Sequence, residues 1–296
     1  MKDTKDAGVI QIDITNRCEH SCPNCTHLIK HSPIWDMPLA TFRKAVDSLV
    51  GWPKMVGIIG GNPLLHPQVD EFVDYMSSKI SKEKMGLWTS NFYDKEKLAK
   101  ETFGFINYNT HVTRVFHQPV LCASKDLVKD PVVRNNLINS CWVAEKWSPS
   151  ITPKGCYRCE VMGALDMALN YNLGLPIEPE WYNKPLADFQ KQISTFCQIC
   201  SVCIPLKGRR DKEGKDDISQ SNLELFKESP RIRSGQYVLF EGNFENIKKW
   251  DPETYRRDHL KQLNGLKQFC NRRYNQIFKR EKHQTEETKA TRKKTE

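Results

Sequence analysis

Three cysteines, Cys18, Cys22 and Cys25, stand at a C-x3-C-x2-C spacing in the stretch Cys18-Glu-His-Ser-Cys22-Pro-Asn-Cys25. Three thiolates from one short loop can hold three irons of a cubane iron–sulfur cluster; with no fourth cysteine nearby, the remaining iron is left open to another ligand. A zinc site is the other use of such a spacing, but no histidine or cysteine follows at a distance that would close a tetrahedral set locally. His20 and His27 flank the loop and read as exposed loop residues. Further along, Gly60-Gly61-Asn62-Pro63 follows an apolar run, and glycine suits a backbone that must come close to a ligand. Thr89, Ser90 and Asn91 end a third apolar run, placed either to meet polar groups of a ligand or to form an ordinary strand-to-helix loop. Asn107, Asn109 and His111 admit the same two readings.

The chain has 11 cysteines. Its amino terminus is charged, and no apolar run approaches the ~18–20 residues of a membrane span, so neither a signal peptide nor a span is expected and the cytoplasm is the expected compartment. Cytosolic thiols are kept reduced, which favours metal ligation over a disulfide framework. Cys122 and Cys270 stand alone and read as small buried hydrophobes. The others form the first loop and a second set, Cys141, Cys156, Cys159, Cys197, Cys200 and Cys203. In that set, Cys156-x2-Cys159 and Cys197-x2-Cys200 are two knuckles of the kind that close a structural zinc site.

The elements that must position these groups follow from periodicity. Residues 9–15 alternate apolar and polar and read as a strand delivering the cysteine loop. Residues 38–52 and 66–80 carry apolar side chains at spacings of three and four, as amphipathic helices do. Met55–Ile59 and Met85–Thr89 read as buried strands, 95–103 as a helix and 105–109 as a fourth strand. Alternation of this kind predicts an α/β fold of parallel βα units, with reactive groups at the carboxyl ends of the strands, where both the cysteine loop and Gly60-Gly61 fall. Beyond residue 110 the reading is a helix over 131–139, a hairpin over 150–161 turning at Pro153-Lys-Gly155, helices from 164 and over 185–194, and a polar linker over 207–217.

The C-x3-C-x2-C loop at the end of a first strand, with a glycine pair after the second, resembles the radical S-adenosylmethionine (radical SAM) enzymes. The resemblance implies a partial (β/α) barrel core over residues 1–125, with Cys18, Cys22 and Cys25 as ligands of a [4Fe-4S] cluster and as the catalytic centre. It implies that Gly60, Gly61, Asn62 and Pro63 approach the methionyl amine of S-adenosylmethionine, with Thr89, Ser90 and Asn91 near its carboxylate or ribose. Two positions depart from the family pattern: Asn24 stands where an aromatic usually precedes the third cysteine, and Asn62 where glutamate usually follows the glycine pair. The second cysteine set resembles the auxiliary-cluster extensions called SPASM or Twitch, which implies a second [4Fe-4S] cluster on Cys141, Cys159, Cys197 and Cys200 within 126–206; structural zinc is the alternative. Cys156 and Cys203 are then spare. The family also implies a reductant protein such as flavodoxin or ferredoxin.

Charge bears on the substrate. The net charge is +9, and residues 207–296 hold 23 Lys+Arg against 15 Asp+Glu, or +8, leaving +1 for the rest. Residues 252–279 carry apolar side chains at roughly helical spacing with Lys and Arg between them, and 281–296 read as disordered. A basic helix with interleaved Tyr and Phe can pack on its own domain or meet nucleic acid. The activity that the radical SAM resemblance implies is hydrogen-atom abstraction by a 5′-deoxyadenosyl radical, leading to rearrangement, epimerisation or bond formation. The favoured substrate is a nucleic-acid base or nucleotide, with a sugar or peptide as the alternative. The reading from another class is a zinc-binding nucleic-acid interaction module without catalysis.

Overall fold

The apolar runs assemble into one sheet. The computed structural model of the chain describes residues 3–109, 116–141, 143–144, 148–204, 206–210 and 213–242. The basic segment 252–279, the tail 281–296, His111 and Cys270 lie outside them. Strands Val9–Asp13 (β1), Met55–Ile59 (β2), Met85–Thr89 (β3) and Phe105–Tyr108 (β4) are parallel neighbours. Phe116–His117 forms a short β5, and the hairpin Ser150–Thr152 (β6) and Gly155–Tyr157 (β7) turns at Pro153-Lys154. β6 joins the other edge of β1 in parallel, giving the order β4-β3-β2-β1-β6-β7 with only β7 antiparallel. The result is an open, mostly parallel six-stranded sheet in a mixed α/β fold; no closed barrel is formed by the described strands. Both faces of β1 are buried, as expected of a central parallel strand.

Helices Leu39–Asp47 (α1) and Val69–Lys79 (α2) connect the first three strands. Each turns an apolar stripe inward, Phe42, Ala45 and Val46 on the first and Val69, Phe72, Val73 and Met76 on the second. The stripes meet at Phe42 and Phe72, whose rings stack with centroids 4.1 Å apart. Glu96–Thr102 (α3) leads to β4, and Ser124–Leu127 (α4) and Pro131–Asn139 (α5) follow β5. The Asp130 side chain caps α5 by accepting from the amides of Val132 and Val133. Glu160–Leu169 (α6) begins directly after Cys159, and Gln190–Phe196 (α7) ends at Cys197.

The stretch expected as a polar linker contains strands. Arg209–Arg210 (β8) pairs antiparallel with β5, and Asp216–Ile218 (β9) pairs in parallel with Tyr237–Leu239 (β10), with Gln220–Leu225 (α8) and Pro230–Arg233 (α9) between them. β9 is buried despite its aspartates because those carboxylates are paired, as described below. Among the described residues no helix is long and apolar enough to cross a membrane.

Phe42 has no exposed surface. Phe42→Ala is expected to lower unfolding stability by about 3–5 kcal/mol, whereas Val132→Ala, at a residue 66% exposed, should change it by less than about 0.5 kcal/mol; urea unfolding of the two variants checks the difference.

Candidate functional site

β1 and β2 run in register to Asp13 and Ile59, and their pairing continues past the strand ends. The amide of Ile14 donates to the carbonyl of Ile59 at 3.0 Å, that of Gly61 to Thr15 at 2.9 Å and that of Asn62 to Arg17 at 2.6 Å. The glycine pair thus lies on the backbone that leads into Cys18. A Cβ on Gly60, whose φ is +151°, would stand 2.2 Å from the Thr15 carbonyl oxygen. One on Gly61 would stand 2.2 Å from the Arg17 carbonyl oxygen and 2.9 Å from Cβ of Cys18. No side chain fits there, so the close approach that the sequence assigned to a ligand is made first to the chain itself.

Asn62 is fully buried and gathers three strand ends. Its Oδ1 accepts from the amide of Leu64 at 3.2 Å, capping the short turn that starts at Pro63, and from Oγ1 of Thr89 at 2.8 Å. Its Nδ2 donates to the carbonyl of Asn91 at 3.0 Å. Ser90 donates through Oγ to Glu19 at 2.7 Å, and Nδ2 of Asn62 stands 3.4 Å from the same carboxylate. Gly60 to Pro63 and Thr89 to Asn91 are therefore brought to one place beside Cys18. A carboxylate at 62 could accept but not donate, which gives a local reason for Asn at this position.

Glu19 and Tyr93 are additions that spacing did not single out. Burial pushes the Glu19 carboxyl up, but hydrogen bonds from its own backbone amide, Ser90, Tyr93 and Asn62 outweigh it and hold the group below its usual range. Burial and the Glu19 charge push the Tyr93 phenol up to about 12. Glu19's place immediately after the first cysteine was the only available signal. Both residues, with Cys18, Lys30 and Arg231, line an open cavity of about 700 Å³. Burial raises the Cys18 thiol to about 11, with the neighbouring Cys25 and Glu19 charges adding to the effect and Lys30 opposing it.

His27 is not the exposed loop residue expected. Its ring is 13% exposed and lies between two buried carboxylates, Nδ1 at 3.2 Å from Asp13 and Nε2 at 4.0 Å from Glu160. Burial alone would lower its pKa, but Asp13 and Glu160 raise it to about 10, so the ring is a cation at neutral pH. Burial lifts Glu160 to about 7 against the pull of His27. His20, by contrast, is about one-third exposed beside Glu19.

The second cysteine set divides. Burial raises the thiols of Cys197, Cys200 and Cys203 well above their usual range and that of Cys159 to about 12. Next in effect, the thiolates repel one another: Cys141 acts on Cys159 and Cys203, and Cys159 and Cys200 act on Cys197. Cys141, Cys159, Cys197 and Cys200 thus lie within electrostatic reach of one another, and Cys203, expected to be spare, lies within it too. Cys156 does not. It is buried on β7 with its thiol 3.7 Å from the Pro176 carbonyl, under the charges of Glu178, Lys44 and Lys184. The double-knuckle zinc pairing through Cys156 is therefore not formed. An all-thiol neighbourhood suits an iron–sulfur cluster or a four-cysteine zinc site; among the described residues no three His, Cys, Asp or Glu side chains are closed up around a metal-sized point. Arg158, 2% exposed, lies among these thiols and donates to the carbonyl of Ala144 at 3.0 Å.

No protein-family model matches the chain, and no curated protein matches it either. Among solved structures it is similar to BtrN in complex with AdoMet and 2-DOIA, at TM-score 0.39 and 14% identity over 64% of this chain and 85% of that one. It is also similar to selenomethionine BtrN in an open conformation, at TM-score 0.35 and 13% identity over 68% and 90% of the two chains. Likenesses of this size carry no functional argument, so any reading of the site stands on its own residues.

Asn62→Asp would remove the donor to Asn91 and set a second carboxylate against Glu19. The expected cost is about 1–3 kcal/mol, and chemical denaturation checks it; an unchanged midpoint would show that the junction does not depend on the amide.

Proposed function

We propose that the chain is a radical SAM enzyme. The observation that carries this reading is the junction itself: the three-cysteine loop leaves the carboxyl end of a parallel strand and is seated on the glycine pair of the next strand by the amides of Gly61 and Asn62. Reactive groups of open parallel sheets gather at such strand ends. Cys18, Cys22 and Cys25 would hold the [4Fe-4S] cluster. When bound, the cluster and S-adenosylmethionine would supply a 5′-deoxyadenosyl radical, the difficult chemistry being theirs.

The protein's part is positional. Gly60 and Gly61 keep side chains out of the space beside Cys18, and Asn62 holds Thr89 and Asn91 at the same rim. Glu19, kept ionised by its donors, faces the cavity together with Lys30. Cys141, Cys159, Cys197 and Cys200 would hold an auxiliary cluster, with Cys203 close enough to substitute for one of them and buried Arg158 offsetting negative charge. A one-electron donor such as flavodoxin or ferredoxin is required. For the substrate, a nucleic-acid base or nucleotide is supported by the basic character of residues 252–279.

Anaerobically purified protein should be brown, hold about seven to eight irons if both clusters are cubanes, and release 5′-deoxyadenosine from S-adenosylmethionine on reduction. Cys22→Ala and Gly61→Ala should abolish that release, while Cys200→Ala should spare it and reduce substrate turnover. Colourless protein holding stoichiometric zinc would sink the proposal. Within the second group, Cys159→Ala should lower iron content by about half and Cys156→Ala should leave it unchanged; equal losses would contradict the separation of Cys156 from the other thiols.

A further inference from the structure

We propose that Asp216 is a positioning residue for the three-cysteine loop, acting on the backbone before Cys25 at Asn24 and, through Arg231, before Cys22 at Ser21. The proposal rests on the cluster reading of that loop. Asn24 is buried with φ +52°, a left-handed conformation that asparagine tolerates better than most residues. Its amide donates to Oδ1 of Asp216 at 2.5 Å, across 192 residues of chain. Its side chain pairs with the next residue in both directions: Nδ2 donates to Oδ2 of Asp217 at 3.0 Å, and Oδ1 accepts from the amide of Asp217 at 2.8 Å. A further contact runs from Nδ2 to the carbonyl of His117 at 3.3 Å. Asn24 therefore behaves as a one-residue partner for β9, a contact that an aromatic at this position could not make.

The other oxygen of Asp216 holds the far side of the loop. Oδ2 meets Nε of Arg231 at 2.6 Å and Nε2 of His31 at 2.7 Å, all three residues being less than 5% exposed. Arg231 reaches back with both terminal nitrogens toward the carbonyl of Ser21, at 3.5 and 3.4 Å, and its own amide donates to Lys30 at 3.2 Å. His31 is completed by Ser229 at 3.1 Å. Arg209 forks onto Asp217 at 2.9 and 2.8 Å, so the second carboxylate is paired as well. One carboxylate thus grips the residue before Cys22 through Arg231 and the residue before Cys25 directly. The bonds of Asn24 to Asp216 and Asp217 are buried and directional and set the backbone before Cys25; Arg231 is held to Asp216 as an ion pair and reaches Ser21 only by long, partly buried contacts. Residues that orient metal ligands in this way affect metal affinity by about 10–100-fold.

The test uses the full chain, reconstituted anaerobically with iron and sulfide, as wild type, Asp216→Asn and Asp166→Asn. Asp166 is the control: it is also a buried carboxylate, taking bonds from Tyr157 at 2.8 Å and from the amides of Asn172 and Leu173 at 2.7 and 2.6 Å, none of them on the cysteine loop. The readouts are iron per chain and the electron paramagnetic resonance spectrum of the reduced protein before and after adding S-adenosylmethionine, which reports on an open iron. Asp216→Asn is expected to weaken retention of iron at the first site by about 10-fold or more and to lose the S-adenosylmethionine-dependent change, with Asp166→Asn keeping both. Asp216→Glu, which keeps the charge that Arg231 and His31 need but moves the acceptor away from the Asn24 amide, should shift the same readouts in the same direction and serves if Asp216→Asn does not fold. Retention of iron and of the spectral change in Asp216→Asn, or in Asp216→Glu where that variant serves, overturns the positioning role, as does an equal loss in the Asp166 control. Wild-type protein that takes up no iron overturns the cluster reading, and this proposal with it.

Discussion

Two hydrogen bonds, from the amides of Gly61 and Asn62 to the carbonyls of Thr15 and Arg17, hold the site to the fold. Without them the pairing of β1 with β2 would end at the Ile14–Ile59 bond, and residues 15–17 would be held only from the other side, by Ser32 to Asp36. With them the ladder continues to the residue before the first cysteine, which is then placed with the stiffness of a sheet. The contact is possible only because neither glycine has a Cβ: even one methyl at Gly61 would meet a carbonyl oxygen at 2.2 Å. β3 is added to the same junction by the Asn62 side chain, so three strand ends share one polar centre.

Charge organises what the sheet does not reach. The loop buries little apolar surface of its own, and its shape is specified by carboxylates that could not be buried unpaired. Asp13 is matched by His27, Asp216 by Arg231 and His31, Asp217 by Arg209, and Glu19 by neutral donors. Removing one member of such a set leaves its partner as a buried charge, a far larger penalty than the pair's net contribution. The thiols follow the opposite logic. Burial, with repulsion between neighbouring thiolates, raises Cys18, Cys159, Cys197, Cys200 and Cys203, and a bound metal cation favours the thiolate.

Local pattern carried the reading of the elements. Met55–Ile59, Met85–Thr89 and Pro131–Asn139 have the bounds that their apolar runs and flanking turn or cap residues mark, and the glycine pair and Thr89 to Asn91 do converge. What was not legible depends on partners far away in sequence. Nothing near Ser150 says that β6 pairs with β1, and nothing near Asn24 points to Asp216. His27 reads as a loop histidine until Asp13 and Glu160 are seen on either side of it. Cys156 and Cys203 each stand three residues from another cysteine, and equal spacing cannot say which one faces the group; strand alternation and burial against Pro176 decide it for Cys156. Asp216 and Asp217 sit in a polar, glycine-containing stretch, which composition reads as linker because it cannot see the arginines that neutralise them.

The same buried charges relate the two cysteine groups to each other. His27 is two residues past Cys25, Glu160 is next to Cys159, and Asp13 ends the strand that delivers the first loop. An ion group of these three ties the exit of the first cysteine loop and the start of α6 to one strand end. Glu160 also lies in the first turn of α6, where a helix dipole favours the ionised form against the burial that lifts it. The second group is anchored to the same sheet, since β6 pairs with β1 and β7 leads directly to Cys159. The backbone at both cysteine groups is thus tied to β1, and one histidine between two carboxylates closes the tie.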